Sequence, residues 1–159
     1  MLVAGSRSKH FAVYRDPTGA LSVVGRDARK TADLVTVINS LTRKNYSMPP
    51  THGPGIIDII LHDEELTALW HSEVDTMRER INGLRGLLAG RIAAAGIQRD
   101  FSFLERQSGM FSFLGLSVPQ VRRLREEFSI YTVDSARVNI ASLNQRNIDY
   151  FVDALNTVL

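Results

Sequence analysis

The sequence predicts a mixed α/β protein, a small α/β layer hung on one long helix. Three observations carry this. Gly19-Ala20-Leu21-Ser22-Val23-Val24-Gly25 is short, β-branched and bounded by glycines, so it reads as a buried strand. From about Asp63 to Ala95, apolar residues recur at Leu66, Leu69, Trp70, Val74, Met77, Ile81, Leu84, Leu88 and Ile92, the i, i+3/i+4 spacing of one helix packing a continuous face into a core. Past Gly96 the pattern breaks into short strands and helices.

The elements follow in order. Residues 1–4 are apolar and read as the end of a strand, followed by a hydroxyl-rich turn with Ser6, Ser8 and Lys9. Asp27 is placed to cap a helix running to about Arg43, with Leu34, Val37, Ile38 and Leu41 on one face. The prolines and glycines of Met48 to Gly55 predict a loop, and Ile56 to Leu61 one or two helical turns. After the long helix, Met110–Leu114 reads as a strand. Ser117 caps a helix with Val121, Leu124 and Phe128 inward. Ile130–Val133 and Arg137–Ile140 read as strands, and Leu143–Leu159 as a terminal helix burying Ile148, Phe151, Val152, Leu155 and Leu159.

Composition excludes several function classes. The 159 residues are 44% hydrophobic and 23% charged, enough for a real core, and the net charge of +2 is spread along the chain. That is a poor footprint for nucleic acid. With no cysteine there is no disulfide framework, thiolate metal site or Cys nucleophile. His52, His62 and His71 lack metal-ligand spacing, so no metal is expected. No apolar run approaches the roughly 20 residues that span a bilayer, and Met1–Ala4 is too short for a secretory h-region, so a cytoplasmic protein is expected.

Three groups carry candidate chemistry. Lys9 forms a Schiff base with an aldehyde only as a neutral amine, and Ser6 and Ser8 beside it offer hydroxyls for a phosphate. Arg137 and Arg43 each supply a planar fork for a carboxylate, one for an α-carboxylate and a second for a dicarboxylic side chain. Taken one at a time, each has a plainer reading. Lys9 reads as a solvated loop lysine, Arg43 as a cation offsetting a helix dipole, and Arg137 as an edge-strand arginine in a surface ion pair.

Read together, four motifs in order resemble the class I aspartate/aromatic aminotransferases: Ser6-Arg7-Ser8-Lys9 with the apolar-Tyr segment to Gly19; Arg43-Lys44-Asn45-Tyr46-Ser47-Met48-Pro49-Pro50-Thr51-His52-Gly53; Gly109-Met110-Phe111-Ser112-Phe113 with Leu124-Arg125-Glu126-Glu127-Phe128; and Ala136-Arg137-Val138-Asn139. The resemblance implies the C-terminal part of the fold-type I pyridoxal-phosphate enzyme fold. Residues 1–75 would belong to the large cofactor-binding domain and 76–159 to the small domain, joined by the long helix.

It also implies roles. Lys9 holds pyridoxal 5'-phosphate covalently and moves the substrate Cα proton. Ser6 falls on the phosphate ligand, with Ser8 beside it. Arg137 takes the α-carboxylate, and Arg43 reaches across a dimer to the substrate side chain, with Ser47 at that edge. Phe111 lines the substrate pocket. Amino acids and 2-oxo acids are the implied substrates, and a homodimer or a complementary chain the implied assembly. Three departures stand out. Pro17 occupies the position of a phosphate-binding arginine, Ala12 and Ala136 replace glycines, and the family's first half, with its aspartate at the pyridine nitrogen, has no counterpart here. A chain of this content is expected to be inactive alone, or else a remnant serving folding or interaction.

Overall fold

Leu2–Ser6 (β1) and Gly19–Val23 (β2) form an antiparallel ribbon, with Leu2 opposite Val23 and Ser6 opposite Gly19. The computed structural model describes residues 1–159 and divides them into two compact units, Met1–Val74 and Asp75–Leu159. In the first unit the 19–25 segment is a strand, but not a buried one. Leu21 is 49% exposed, because the ribbon has only two strands and no layer covers it.

Helix α1 (Ala28–Tyr46) starts where expected. Asp27 accepts the Lys30 N–H at 3.0 Å. It runs almost a turn beyond Arg43 and buries none of its residues. Helix α2 (His52–His62) begins inside the segment read as loop. Pro54 falls in its first turn, where backbone N–H groups have no helical partner, so the missing donor costs nothing. The Asp63 carboxylate then accepts the Leu66 N–H at 2.9 Å and opens α3 (Glu64–Ala94). The stripe along α3 is buried only in part. Leu84, Leu88 and Ile92 are core residues, whereas Leu66, Leu69 and Met77 are exposed.

The second unit holds the hydrophobic core. Strands β3 (Phe111–Phe113) and β4 (Arg137–Asn139) pair antiparallel. Against them lie the last turns of α3, the short α4 (Phe103–Arg106), α5 (Val118–Phe128) and α6 (Ile148–Val158). Leu88, Leu104, Leu114, Leu124, Ile140 and Leu155 have no solvent exposure. A reciprocal capping box joins Ser117 and Gln120 at the start of α5.

Three expectations fail here for local reasons. Ile130–Val133 is not a strand, because its backbone groups bond elsewhere: the Ile130 N–H donates to the Leu124 carbonyl at 2.9 Å, the Arg125 side chain donates to the Thr132 carbonyl at 3.2 Å, and the Val133 carbonyl accepts the Ala136 N–H at 2.8 Å. The terminal helix starts at Ile148, not Leu143. Asn144 and Asn147 accept the backbone N–H groups of Arg146 and Asn144, both at 2.8 Å, and hold a turn instead. Leu159 lies past the helix and is exposed. No helix is long and apolar enough to cross a membrane.

Candidate functional site

Lys9 sits on a turn that three contacts fix within the first unit. At its base, Ser8 is buried. Its Oγ accepts the Thr18 N–H at 2.9 Å and faces the Thr18 carbonyl at 3.4 Å, while the Arg7 N–H donates to that carbonyl at 2.8 Å. At its crown, the Trp70 indole N–H of α3 donates to the His10 carbonyl at 2.7 Å. The Phe11 and Trp70 rings stack with centroids 4.5 Å apart. At its far end, His52 of α2 pairs with the Asp16 carboxylate at 3.0 Å. Gly53 comes so close that an added Cβ would overlap the Thr18 hydroxyl and lie 3.0 Å from the Asp16 carbonyl.

The Lys9 side chain itself is exposed. Its Nζ lies 3.6 Å above the Tyr14 ring centroid and makes no hydrogen bond or ion pair. Ser6, the last residue of β1, is exposed, and its hydroxyl is uncommitted. Ser8, by contrast, already spends its hydroxyl on the turn. Pro17 is exposed and has no N–H to offer. Ala12, at a family-glycine position, takes a left-handed backbone (φ +56°).

Arg43 and Ser47 lie elsewhere in this unit, at the end of α1. Arg43 is exposed, and its carbonyl accepts the Ser47 N–H at 3.1 Å. As a cation in the last turn it offsets the helix dipole, as the plainer reading had it. No hydrogen bond or ion pair joins Arg43 or Ser47 to the Lys9 turn.

Arg137 and Phe111 come together in the second unit. The Arg137 guanidinium carbon is 4.8 Å from the Phe111 ring centroid. The ion pair expected of an edge-strand arginine is not made, and the fork is free. Both residues line a cavity of 750 Å³ whose wall includes Tyr131, Asn139, Ser142 and Tyr150. Ala136, the other family-glycine position, is fully buried with φ +58°.

Two residues that matter here were not singled out by sequence. Trp70 reads as one more member of the α3 stripe. Arg85 is 1% exposed, and burial pushes its guanidinium below its ordinary pKa. The signal for Arg85 was present. Position 85 stands four after Ile81 and three before Leu88, on the apolar face, where a charge needs a reason.

Residues 1–155 match the family model for aminotransferase class I and II, and the chain belongs to that family. It is 42% identical over 157 residues to the aspartate aminotransferase of Pseudomonas aeruginosa, covering 99% of this chain and 39% of that one. It is 43% identical over 158 residues to the aromatic-amino-acid aminotransferase of the same organism, with 99% and 40% covered. Among solved structures, the aromatic-amino-acid aminotransferase of Burkholderia pseudomallei, covalently bound to pyridoxal phosphate, superposes with a TM-score of 0.90 at 45% identity, covering 99% of this chain and 40% of that one. A mitochondrial aspartate aminotransferase from Trypanosoma brucei gives 0.88 at 35% identity, with 99% and 42% covered. The chain thus spans about two-fifths of the length of the curated relatives it matches.

Proposed function

We propose that the chain supplies the lysine-bearing and carboxylate-binding segments of an amino-group transferase. Its substrates would be an aspartate-type or aromatic amino acid and a 2-oxo acid, and its cofactor pyridoxal 5'-phosphate. The observation that carries the reading is the unpaired Arg137 fork above the Phe111 ring at a 750 Å³ cavity. A planar cation with no internal partner beside an apolar wall suits a carboxylate with an aliphatic or aromatic body.

The Lys9 turn fits the cofactor in its donor set. A primary amine stands on an exposed turn, free of carboxylates, three residues from the free hydroxyl of Ser6. Lys9 and Ser6 would hold the group, and Ser8 would shape the turn. When bound, pyridoxal phosphate supplies an aldehyde and a conjugated ring that draws electron density from the amino acid Cα. Lys9 then takes and returns the Cα proton. Arg137 holds the α-carboxylate, Phe111 forms the pocket wall, and Arg43 with Ser47 serves a second carboxylate from across a subunit boundary. In this reading residues 1–75 are part of the cofactor-binding domain, residues 76–159 form the small domain, and the site works in a cytoplasmic dimer or with a complementary chain.

The 159 residues by themselves are proposed to be inactive, and a second reading, a folding or interaction module, is favoured by Pro17 and by exposed apolar side chains such as Leu21, Val37 and Leu41. Borohydride reduction with added pyridoxal phosphate, followed by peptide mapping, tests the first reading. Label on Lys9 in preference to Lys30 and Lys44 supports it, and label on those two instead overturns it. A coupled assay with aspartate, tyrosine and phenylalanine tests the inactivity, which turnover above the free-cofactor background would overturn.

A further inference from the structure

We propose that Arg85 is a positioning residue for carboxylate recognition: from inside the second unit it fixes the Gly109–Ser112 segment so that the Phe111 ring lies beneath the Arg137 guanidinium. The proposal rests on the reading of Arg137 as a carboxylate fork.

A buried arginine ordinarily has a carboxylate partner, because an isolated charge in the interior is costly. Arg85 has none. Its Nη1 donates to Ser112 Oγ at 2.7 Å and to the Leu104 carbonyl at 3.2 Å. Its Nη2 donates to the carbonyls of Gly109 at 2.6 Å and Phe111 at 3.1 Å. Nε has no partner. Three of the four acceptors fall within one four-residue stretch. Placing a guanidinium there returns little stability but a great deal of geometry.

That stretch is the base of the site. Gly109 turns it with φ +85°, and the Met110 carbonyl accepts the Ile140 N–H at 2.8 Å. Phe111 then pairs with Asn139, and Phe113 with Arg137. Side chains alternate across β3. Ser112 points inward to Arg85 and is buried, while Phe111 and Phe113 point outward. Arg85 grips the inner side of the strand whose outer side carries the ring under Arg137. A lysine at position 85 offers a point charge and cannot bridge carbonyls two residues apart with a rigid fork.

The test uses NMR on the full 159-residue chain, where the Phe111 ring current marks the Arg137 side-chain protons. Arg137→Lys assigns the signal and Phe111→Leu confirms its origin. In Arg85→Lys and Arg85→Met, with the fold checked by circular dichroism, the Arg137 protons are expected to move to unperturbed positions. Binding of 3-indolepropionic acid, followed by shift titration, is expected to weaken about tenfold, the loss of one well-placed charge-assisted contact. A folded Arg85→Lys variant with the parent Arg137 shift overturns the proposal. If neither Arg85 variant folds, Ser112→Ala carries the test: partial release of Arg85 moves the Arg137 protons part of the way, and an unchanged shift overturns the proposal. If the parent chain shows an Arg85-dependent shift but does not bind 3-indolepropionic acid, the positioning stands and the carboxylate reading of Arg137 falls.

Discussion

Replacing Gly53 with alanine should loosen the Lys9 turn, although the same exchange elsewhere in α2 should stabilise the protein. In a helix, Gly→Ala is ordinarily worth up to about 1 kcal/mol. At Gly53 the new methyl meets the Thr18 hydroxyl, the Asp16 carbonyl at 3.0 Å and the Asp16 carboxyl carbon at 3.1 Å. The hydroxyl cannot simply swing away, because it donates to the Asp16 carbonyl at 3.0 Å. Overpacking of this kind costs about 1–3 kcal/mol. The net effect of Gly53→Ala is thus a loss of roughly 0–2 kcal/mol. Gly55, two residues on, meets nothing within 4 Å, so Gly55→Ala keeps the full helical gain. The two variants should differ by about 1–3 kcal/mol, which an m value of about 2 kcal/mol per M turns into a urea midpoint gap of roughly 0.5–1.5 M. Borohydride trapping of pyridoxal phosphate on Lys9 should slow in Gly53→Ala and not in Gly55→Ala. Equal midpoints and equal trapping rates would refute the idea that the start of α2 braces the turn.

Other outcomes follow from the same geometry. Ala12→Gly should raise the urea midpoint more than Ala136→Gly. Both relieve a left-handed alanine worth about 1–2 kcal/mol, but only Ala136 gives up a fully buried methyl, worth about 0.8 kcal/mol. Phe11→Ala should red-shift the fluorescence of Trp70, the one tryptophan, because it removes the ring stacked on the indole. Pro17→Arg should lower the pyridoxal phosphate concentration for half-maximal trapping by about ten- to a hundredfold and leave phosphate-free pyridoxal unchanged, one charge-assisted contact being worth about 1.5–3 kcal/mol. The Ser102 N–H bonded to Asp100, and Arg123 bonded to Glu127, hold those carboxyls below their ordinary range. Their stabilisation is therefore complete at neutral pH and lost as pH falls through the depressed values, so Glu127→Gln should lower the urea midpoint at neutral pH, by an amount that shrinks as pH falls through the depressed Glu127 value.

The sequence shows most clearly what is decided within a few residues. Asp27 and Ser117 announce two helix starts, and each makes its cap within three residues. The α3 period marks the helix to within a residue at each end, yet says nothing of which half is covered. Leu66 and Leu84, about five helical turns apart, occupy equivalent places in the pattern, and one is 38% exposed while the other is buried. Burial depends on what lies opposite, which no local pattern encodes. The same limit hid the work of Asn144 and Asn147, whose amides compete with a helix that apolar spacing alone would start at Leu143. Of the candidate site, Arg137 and Phe111 were named through the motif, and their side chains lie together, the guanidinium carbon 4.8 Å from the ring centroid. Ser8 was legible as a hydroxyl, but its commitment to Thr18 could be read only from the folded turn.

Ala12, Ala136 and Pro17 together separate two kinds of constraint. At both alanines the left-handed backbone persists without the glycine that makes it easy. The Ala12 N–H closes a turn onto the Lys9 carbonyl at 3.2 Å, and the Ala136 N–H onto Val133 at 2.8 Å. Those bonds, with the ribbon on one side and the core on the other, over-determine the conformation, so the strain is carried rather than released. Position 17 is different. A side chain that would act only on a ligand has no neighbours to enforce it, and proline there disturbs no hydrogen bond that the turn uses. The backbone frame of the two candidate half-sites is therefore held by interactions internal to each unit, whereas under the proposed function affinity for a phosphate would depend on a side chain that the fold does not require. That asymmetry makes Pro17→Arg a sharp probe. It should change ligand affinity without touching the Ser8–Thr18 or Trp70–His10 bonds, and any accompanying loss of Trp70 fluorescence intensity or shift in its maximum would show that the two constraints are not separable after all.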